Sequence, residues 1–240
     1  MIQLSILIPS RNEPYLQRTI DDIYEHAETD IEVLFEEDTG LGQRGLTNKL
    51  ARKAKGKYVM KVDAHCSFGQ GFDRILLEDM QDDMIVAPTL LGLNAEKWQP
   101  IPKPISSAYY FDRDFVFQYN REAENNEPLN ETMCLQGSAW MIAKDKYFEW
   151  NVCDESYGSW GSQAVELGIQ AFINGGRCVT NKKTYYAHLF RETDADFPYE
   201  RDHPQMRNAH NLIKERFDGD SRIQELVEKF DKPGNWKNMV

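Results

Sequence analysis

Four apolar runs, separated by segments of helical periodicity, constrain this chain more than any other feature. They are LSILIPS (residues 4 to 10), IEVLFEED (31 to 38), KYVMKVD (57 to 63) and MIVAPTL (84 to 90). The first is a continuous hydrophobic run closed by Pro and Ser, the form taken by a strand buried on both faces of a parallel sheet. Between the runs, residues 14 to 28 place Leu16, Ile20, Ile23, Tyr24 and Ala27 at helical spacing, with Pro14 suited to a first turn. Residues 45 to 55 read as a basic amphipathic helix with Gly56 as its C-cap, and residues 71 to 81 as a third helix. Strand and helix in alternation predict an α/β architecture, a mostly parallel, Rossmann-like sheet flanked by helices.

A sheet of this kind binds ligands beyond the carboxyl ends of its strands. Here those ends are polar: Ser10-Arg11-Asn12-Glu13, Glu36-Glu37-Asp38 and Asp63-Ala64-His65. The three clusters are expected to converge on one crevice. From 92 to 132 the periodicity fades, with prolines at 100, 102 and 104 ahead of an aromatic-rich stretch. Residues 134 to 149 read as a strand and a helix start, 162 to 176 as a helix with a glycine stop, and RCVTNKKTYYAHLF as a strand. The last forty residues carry a helix, RIQELVEKF, and a polar tail.

With 240 residues, 41% hydrophobic and 28% charged, the composition is that of one soluble globular domain able to bury a sizeable core. The opening MIQLSILIPSRNEP is too short for a membrane span and lacks the features of an export leader, and no other stretch reads as a span. Cys66, Cys134, Cys153 and Cys178 have no framework spacing. Reduced thiols and a cytoplasmic location are therefore expected. The net charge of −11 is uneven: residues 44 to 61 hold seven Lys or Arg and no acid, so the remainder carries −18. This segment is either a solvated helix face or a surface for phosphates. The overall acidity argues against general nucleic-acid binding.

The chemistry centres on Asp63 and His65. Two residues apart on a strand, their side chains point the same way, and a carboxylate with an imidazole suits a divalent ion such as Mn2+. Two ligands do not make a site, and for a lone Asp-x-His a capped loop and a surface histidine are the ordinary outcome. His188, in "YYAHLFR" after another apolar strand and shortly before Arg191, is the candidate third ligand.

Taken together, these segments resemble a nucleotide-sugar glycosyltransferase of the GT-A fold, in the broad glycosyltransferase family 2. The motifs are most similar to the catalytic domain of polypeptide N-acetylgalactosaminyltransferases. Those enzymes open on a strand and a His-Asn-Glu turn, where this chain has "ILIPSRNEP". They carry an Asp-x-His-Cys metal motif, here "VDAHC", and a Trp-Gly-x-x-x-x-Glu stretch, here "WGSQAVE". A helix, a Gly-Gly and a Gly-His-x-Phe-Arg segment follow, here ending in "AHLFR". Order and spacing agree over about residues 1 to 191, and five motifs in order are far more specific than any one.

The resemblance implies roles. Asp63, His65 and His188 would hold Mn2+ (or Mg2+). Pro9, Arg11 and Glu13 would line the nucleotide pocket, and Asp38 would meet the base or ribose. Arg44, Asn48 and Ala64 join the donor-binding set, and Gln136 and Gly137 lie where related enzymes place a turn against the donor sugar. Arg191 would approach the diphosphate. Catalysis would draw on Asp63, Trp160, Glu166 and Arg191. Residues 1 to 90 would form the nucleotide part and 91 to 191 the acceptor part of one catalytic domain, with 192 to 240 a lid or helical extension. The donor would be a UDP-sugar. A diphosphate leaving group concentrates negative charge, which a divalent ion and an arginine offset.

One departure bears on stereochemistry. Where inverting family 2 enzymes carry a Glu-Asp pair containing the base, this chain has Gln163 and Ala164, neither of which is a base. Retention of anomeric configuration is the expectation, with Glu166, Asp154 and Glu155 as alternative bases for inversion. The acceptor stays open: a protein side chain, a glycan, a small molecule or a hydroxymethylated base in DNA. A nucleotidyltransferase is a further alternative. The Gly-rich signature and the lysine after the first strand that it needs are missing.

Overall fold

The computed structural model describes residues 2 to 121 and 124 to 230; the polar tail falls outside them. At its centre is a sheet in the order β2-β1-β3-β10-β5-β11-β4. Its strands are β1 (Leu4–Ser10), β2 (Ile31–Glu37), β3 (Tyr58–Val62), β4 (Cys66–Phe68), β5 (Met84–Asn94), β10 (Ala139–Ala143) and β11 (Arg177–His188). β1 pairs in parallel with β2 and β3, and β5 in parallel with β11. β10 lies antiparallel between β3 and β5, and β4 antiparallel to β11 at the edge, so five strands of this order share one direction and two are reversed. The mostly parallel sheet is therefore present.

Strand alternation sends neighbouring side chains to opposite faces, and the core divides accordingly. On one side Ile6, Ile8, Met60, Val62 and Val86 pack against α1 (Leu16–His26) and α3 (Phe72–Asp79) through Ile20, Ile23, Phe72 and Leu76. On the other, Leu7, Val59, Ile85 and Ile142 meet α2 (Gly42–Lys53) and α5 (Gln163–Ile173) through Leu46, Leu50, Val165 and Ile169. α6 (His203–Phe217) and α7 (Ser221–Phe230) add Ala209, Ile213 and Leu226 to that second cluster. The C-terminal extension is thus built into the main core.

Several local expectations are corrected. The second helix ends at Lys53, with Ala54 as its extended C-cap. Gly56 is needed for a different reason: a Cβ there would lie 2.7 Å from the Ser5 backbone nitrogen. β5 continues to Asn94 and turns back into β6 (Gln99–Ser106), whose Pro100 and Pro104 face β5 on the sheet margin, where proline is tolerated. The weakly periodic region also contains β7 (Tyr109–Phe111), β8 (Phe117–Tyr119) and β9 (Leu129–Thr132). α4 (Lys144–Glu149) follows β10 as expected.

All four cysteines are free and buried. Among the described residues no helix is long and apolar enough to cross a membrane. Five of the seven cations in residues 44 to 61 have a carboxylate within 4.0 Å: Arg44, Lys49, Lys53, Lys57 and Lys61. Lys49 and Lys53 share Glu36, so four carboxylates face the seven cations.

Candidate active site

The carboxyl ends of β1, β2, β3 and β11 open on a cleft of about 540 Å³. Because β10 runs the other way, its N-terminal approach, Gln136 to Ser138, reaches the same rim. Pro9, Arg11, Glu13, Asp38, Asp63, Ala64, Gln136, Gly137, Trp160 and Arg191 all line it, with His65 and His188.

Asp63 and His65 do not sit on a strand. β3 stops at Val62, and residues 63 to 65 form a turn that folds into β4. β4 pairs antiparallel with the end of β11, with Cys66 opposite His188, and the Leu189 N–H donates to the His65 carbonyl at 3.1 Å. Long-range pairing therefore closes the cluster, where a period-two argument along one strand had been expected to. The Asp63 N–H is held by the Ser138 carbonyl at 2.7 Å.

One ligand atom from each of Asp63, His65 and His188 falls within 4.8 Å of the other two. His65 Nε2 and His188 Nε2 are 3.1 Å apart, and His188 Nε2 is 3.3 Å from Asp63 Oδ2. Two ligands about 2.1 Å from an ion and at right angles to it are about 3.0 Å apart, so both separations suit adjacent corners of one coordination octahedron. The donor chemistry agrees. His65 Nδ1 lies 3.0 Å from Glu13 Oε2, which fixes the proton on Nδ1 and leaves the Nε2 lone pair facing the cluster, the carboxylate–histidine arrangement common behind metal ligands. Burial lowers the His188 pKa to about 4, against an opposing bond to Asp63, so this ring is neutral at neutral pH. Its Nδ1 is buried without a partner. Burial also acts to raise the Asp63 carboxyl, but the Lys61 charge and the His188 bond outweigh it and hold Asp63 well below the ordinary carboxylate range. The three residues fit a hard or borderline divalent ion.

Around the cluster, Arg191 Nη2 donates to both Glu13 oxygens at 2.9 and 2.8 Å, and its Nη1 lies 3.4 Å from His65 Nδ1. Burial tends to raise the Glu13 carboxyl; its bond to His65 and the neighbouring cations outweigh this and lower it. Lys61, only 1% exposed, contacts Asp63 Oδ1 and donates to the Gly137 carbonyl at 2.8 Å. The sequence reading missed this residue. A lysine inside a strand buried on both faces needs an internal carboxylate, and Asp63 stands two positions on. Over the opening lie Phe197 and Tyr199 from the segment before α6, with the Arg191 and Arg11 guanidinium carbons 5.4 and 5.2 Å from their respective ring centres.

Three expected site residues lie elsewhere. Arg44 and Glu166 are 1% exposed and bonded to each other at 3.0 and 2.8 Å. Arg44 also donates to the Gly161 and Gly158 carbonyls at 2.5 and 3.3 Å, and Glu166 accepts from the Asp154 N–H at 2.6 Å. Burial pushes the Glu166 carboxyl up while the guanidinium opposes it. Asn48 Nδ2 donates to the Cys153 carbonyl at 3.0 Å and to Glu155 at 2.8 Å, while Tyr147 donates to its Oδ1 at 2.6 Å. None of the three lines the cleft; they hold the 153 to 162 segment that presents Trp160. Asp38 lines the cleft, yet its Oδ1 accepts from the Gly40 and Gly42 N–H groups at 2.9 and 3.0 Å, shaping the entry to α2.

Known proteins give the fold independently. No protein-family model matches the chain. A Caenorhabditis elegans protein, "Probable N-acetylgalactosaminyltransferase 8", is 26% identical over 150 residues, covering 59% of this chain and 35% of that protein. Human polypeptide N-acetylgalactosaminyltransferase 13 is 21% identical over 223 residues, covering 87% of this chain and 40% of that protein. The chain thus spans well under half the length of these curated relatives. Among solved structures, GalNAc-T7 with UDP, GalNAc and Mn2+ superposes with a TM-score of 0.74 at 15% identity, covering 89% of this chain and 48% of the other. TarS residues 1–349 from S. aureus, in complex with UDP-GlcNAc, gives 0.60 at 13% identity, covering 95% and 71%. The fold is that of the GT-A glycosyltransferases.

Proposed function

We propose that this chain is a metal-dependent glycosyltransferase that moves a sugar from a UDP-sugar to a hydroxyl acceptor with retention of configuration. The observation that carries the reading is the convergence of Asp63, His65 and His188 at the cleft rim, with Arg191 beside them. The curated relatives named as N-acetylgalactosaminyltransferases and the UDP-bound structures of the same fold support the donor class.

Asp63, His65 and His188 would hold Mn2+ or Mg2+, which when bound offsets the charge of a departing diphosphate. Glu13 keeps the His65 proton on Nδ1 and anchors Arg191, whose Nη1 remains as a donor toward the phosphates. Trp160 and the aromatic segment over the opening exclude water from the anomeric carbon. The acceptor oxygen forms its bond to C1 as the C1–O bond to phosphate breaks, and the acceptor proton passes to the leaving phosphate. Retention is supported by what stands at the start of α5. Gln163 and Ala164 line the cleft there, while Glu166, Asp154 and Glu155 are occupied by Arg44, Arg216 and Asn48. Residues 91 to 191 supply the acceptor side, and 197 to 202 cover it. The net charge of −11 favours an acceptor other than DNA, and the cytoplasm is the compartment we assign.

The test is incubation with a panel of sugar nucleotides, with Mn2+ and with chelator, reading nucleoside diphosphate release and the anomer formed. UDP release from one UDP-sugar, dependent on the ion, is expected. Full turnover in chelator would remove the metal assignment, and release of sugar 1-phosphate with formation of the nucleoside triphosphate on adding pyrophosphate would favour a nucleotidyltransferase.

A further inference from the structure

Lys61 is a charged residue in the middle of the sheet that the transfer chemistry does not use. It sits on β3 between Tyr58 and Val62, strands pair on both sides of it, and its side chain is 1% exposed. Its ammonium touches one oxygen of Asp63 and the Gly137 carbonyl. The other Asp63 oxygen faces His188.

The charges in contact with the ligand set balance. Asp63 is offset by Lys61, and Glu13 by Arg191. The two imidazoles are neutral when they act as ligands. Before an ion arrives, the site therefore carries no net charge to attract one, and an incoming divalent ion leaves two positive charges unbalanced among side chains that are only 10 to 25% exposed. Such charge is expensive unless an anion accompanies it. A diphosphate is the anion of matching charge, and Arg191 stands at the same rim.

We propose that Lys61 is a built-in counter-ion that makes capture of the divalent ion depend on arrival of the nucleoside diphosphate. It acts through Asp63, as a positioning and charge-balancing residue. This rests on the donor reading above. By linkage, the ion and the diphosphate then raise each other's affinity by the same factor. Without Lys61 the site regains a full carboxylate charge, binds the ion alone, and loses most of that mutual dependence.

Calorimetric titration of Mn2+ into the full chain tests this, with and without UDP, in the wild type, Lys61→Gln and Lys61→Met. Gln keeps a donor for the Gly137 carbonyl without the charge, and Met keeps the length alone. Wild-type protein is expected to bind Mn2+ about tenfold or more tighter with UDP than without. Both variants should bind Mn2+ alone about tenfold tighter than wild type, with the UDP effect shrinking by the same factor. Equal or weaker Mn2+ binding in the variants would overturn the proposal and leave Lys61 as a prop for Asp63. Should neither variant fold, wild-type titrations with uridine, UMP and UDP decide: enhancement must rise with phosphate charge, and equal enhancement by uridine contradicts the charge account. If Mn2+ fails to bind wild type even with UDP, the metal-dependent part of the reading above falls, a result distinct from loss of the Lys61 effect alone.

Discussion

Two charged clusters lie on either side of the Trp160 loop, and they differ in how completely they are satisfied. Beneath the loop, Arg44 and Glu166 are sealed from water and bonded to each other, to two loop carbonyls and to a loop N–H. At the rim, Asp63, His65 and His188 bring three ligand atoms together across 3.1 and 3.3 Å, and the His188 Nδ1 has no partner. A buried polar network that spends all its bonding capacity internally is scaffold. One that gathers three ligand atoms beside a cleft and leaves a ring nitrogen unpartnered is equipped to take a ligand. Glu166, like Asp63, His65 and His188, lies within a motif shared with the resembled family, so motif membership alone does not separate the two clusters.

Replacing one partner of the buried pair should give the largest effect. Arg44→Met leaves Glu166 buried without its counter-ion and is expected to cost about 3–5 kcal/mol of stability, read by urea unfolding. The double variant Arg44→Met/Glu166→Leu should recover much of that loss. If it does not, the pair contributes more than scaffold. His188→Ala should do the reverse, leaving the fold intact while lowering ion-dependent donor hydrolysis by about 10²- to 10³-fold.

pH separates the two clusters further. The folded His188 pKa of about 4 lies below its unfolded value of about 6.5, so the unfolded chain takes up that proton first as pH falls. Stability is complete above about pH 6.5 and drains away toward pH 4. Between pH 7.5 and 5.0 this one group accounts for about 2 kcal/mol in metal-free protein, and His188→Gln should remove that difference. Glu13→Gln should be mildest, weakening Mn2+ affinity by about tenfold to a hundredfold through the His65 tautomer while the fold survives. Unchanged affinity would mean that Glu13 serves Arg191 alone.

The parts of this molecule legible in the sequence are those set by local periodicity. β1, β3, α1 and α5 follow from hydrophobic spacing within a dozen residues. The reversed strand β10, the hairpin of β5 with β6 and the pairing of β4 with β11 depend on partners far away in the chain. Asp63, His65 and His188 were found as motif residues, but the turn that joins them was not, because β4 is only three residues long. Arg44 and Asn48 lie outside the cleft for a related reason. α2 looks basic and solvated in sequence, yet the 153 to 162 segment packs over its polar face and buries Arg44, Thr47 and Asn48. Lys61 was legible in principle, since a lysine in a doubly buried strand requires an internal acid.

The central claim is that two imidazoles and one carboxylate hold a divalent ion at the cleft rim. Pulsed electron paramagnetic resonance of Mn2+-loaded protein with UDP tests it most directly. The account predicts nitrogen couplings from two imidazoles, one lost in His65→Ala and the other in His188→Ala. Bound Mn2+ with no imidazole coupling would contradict it.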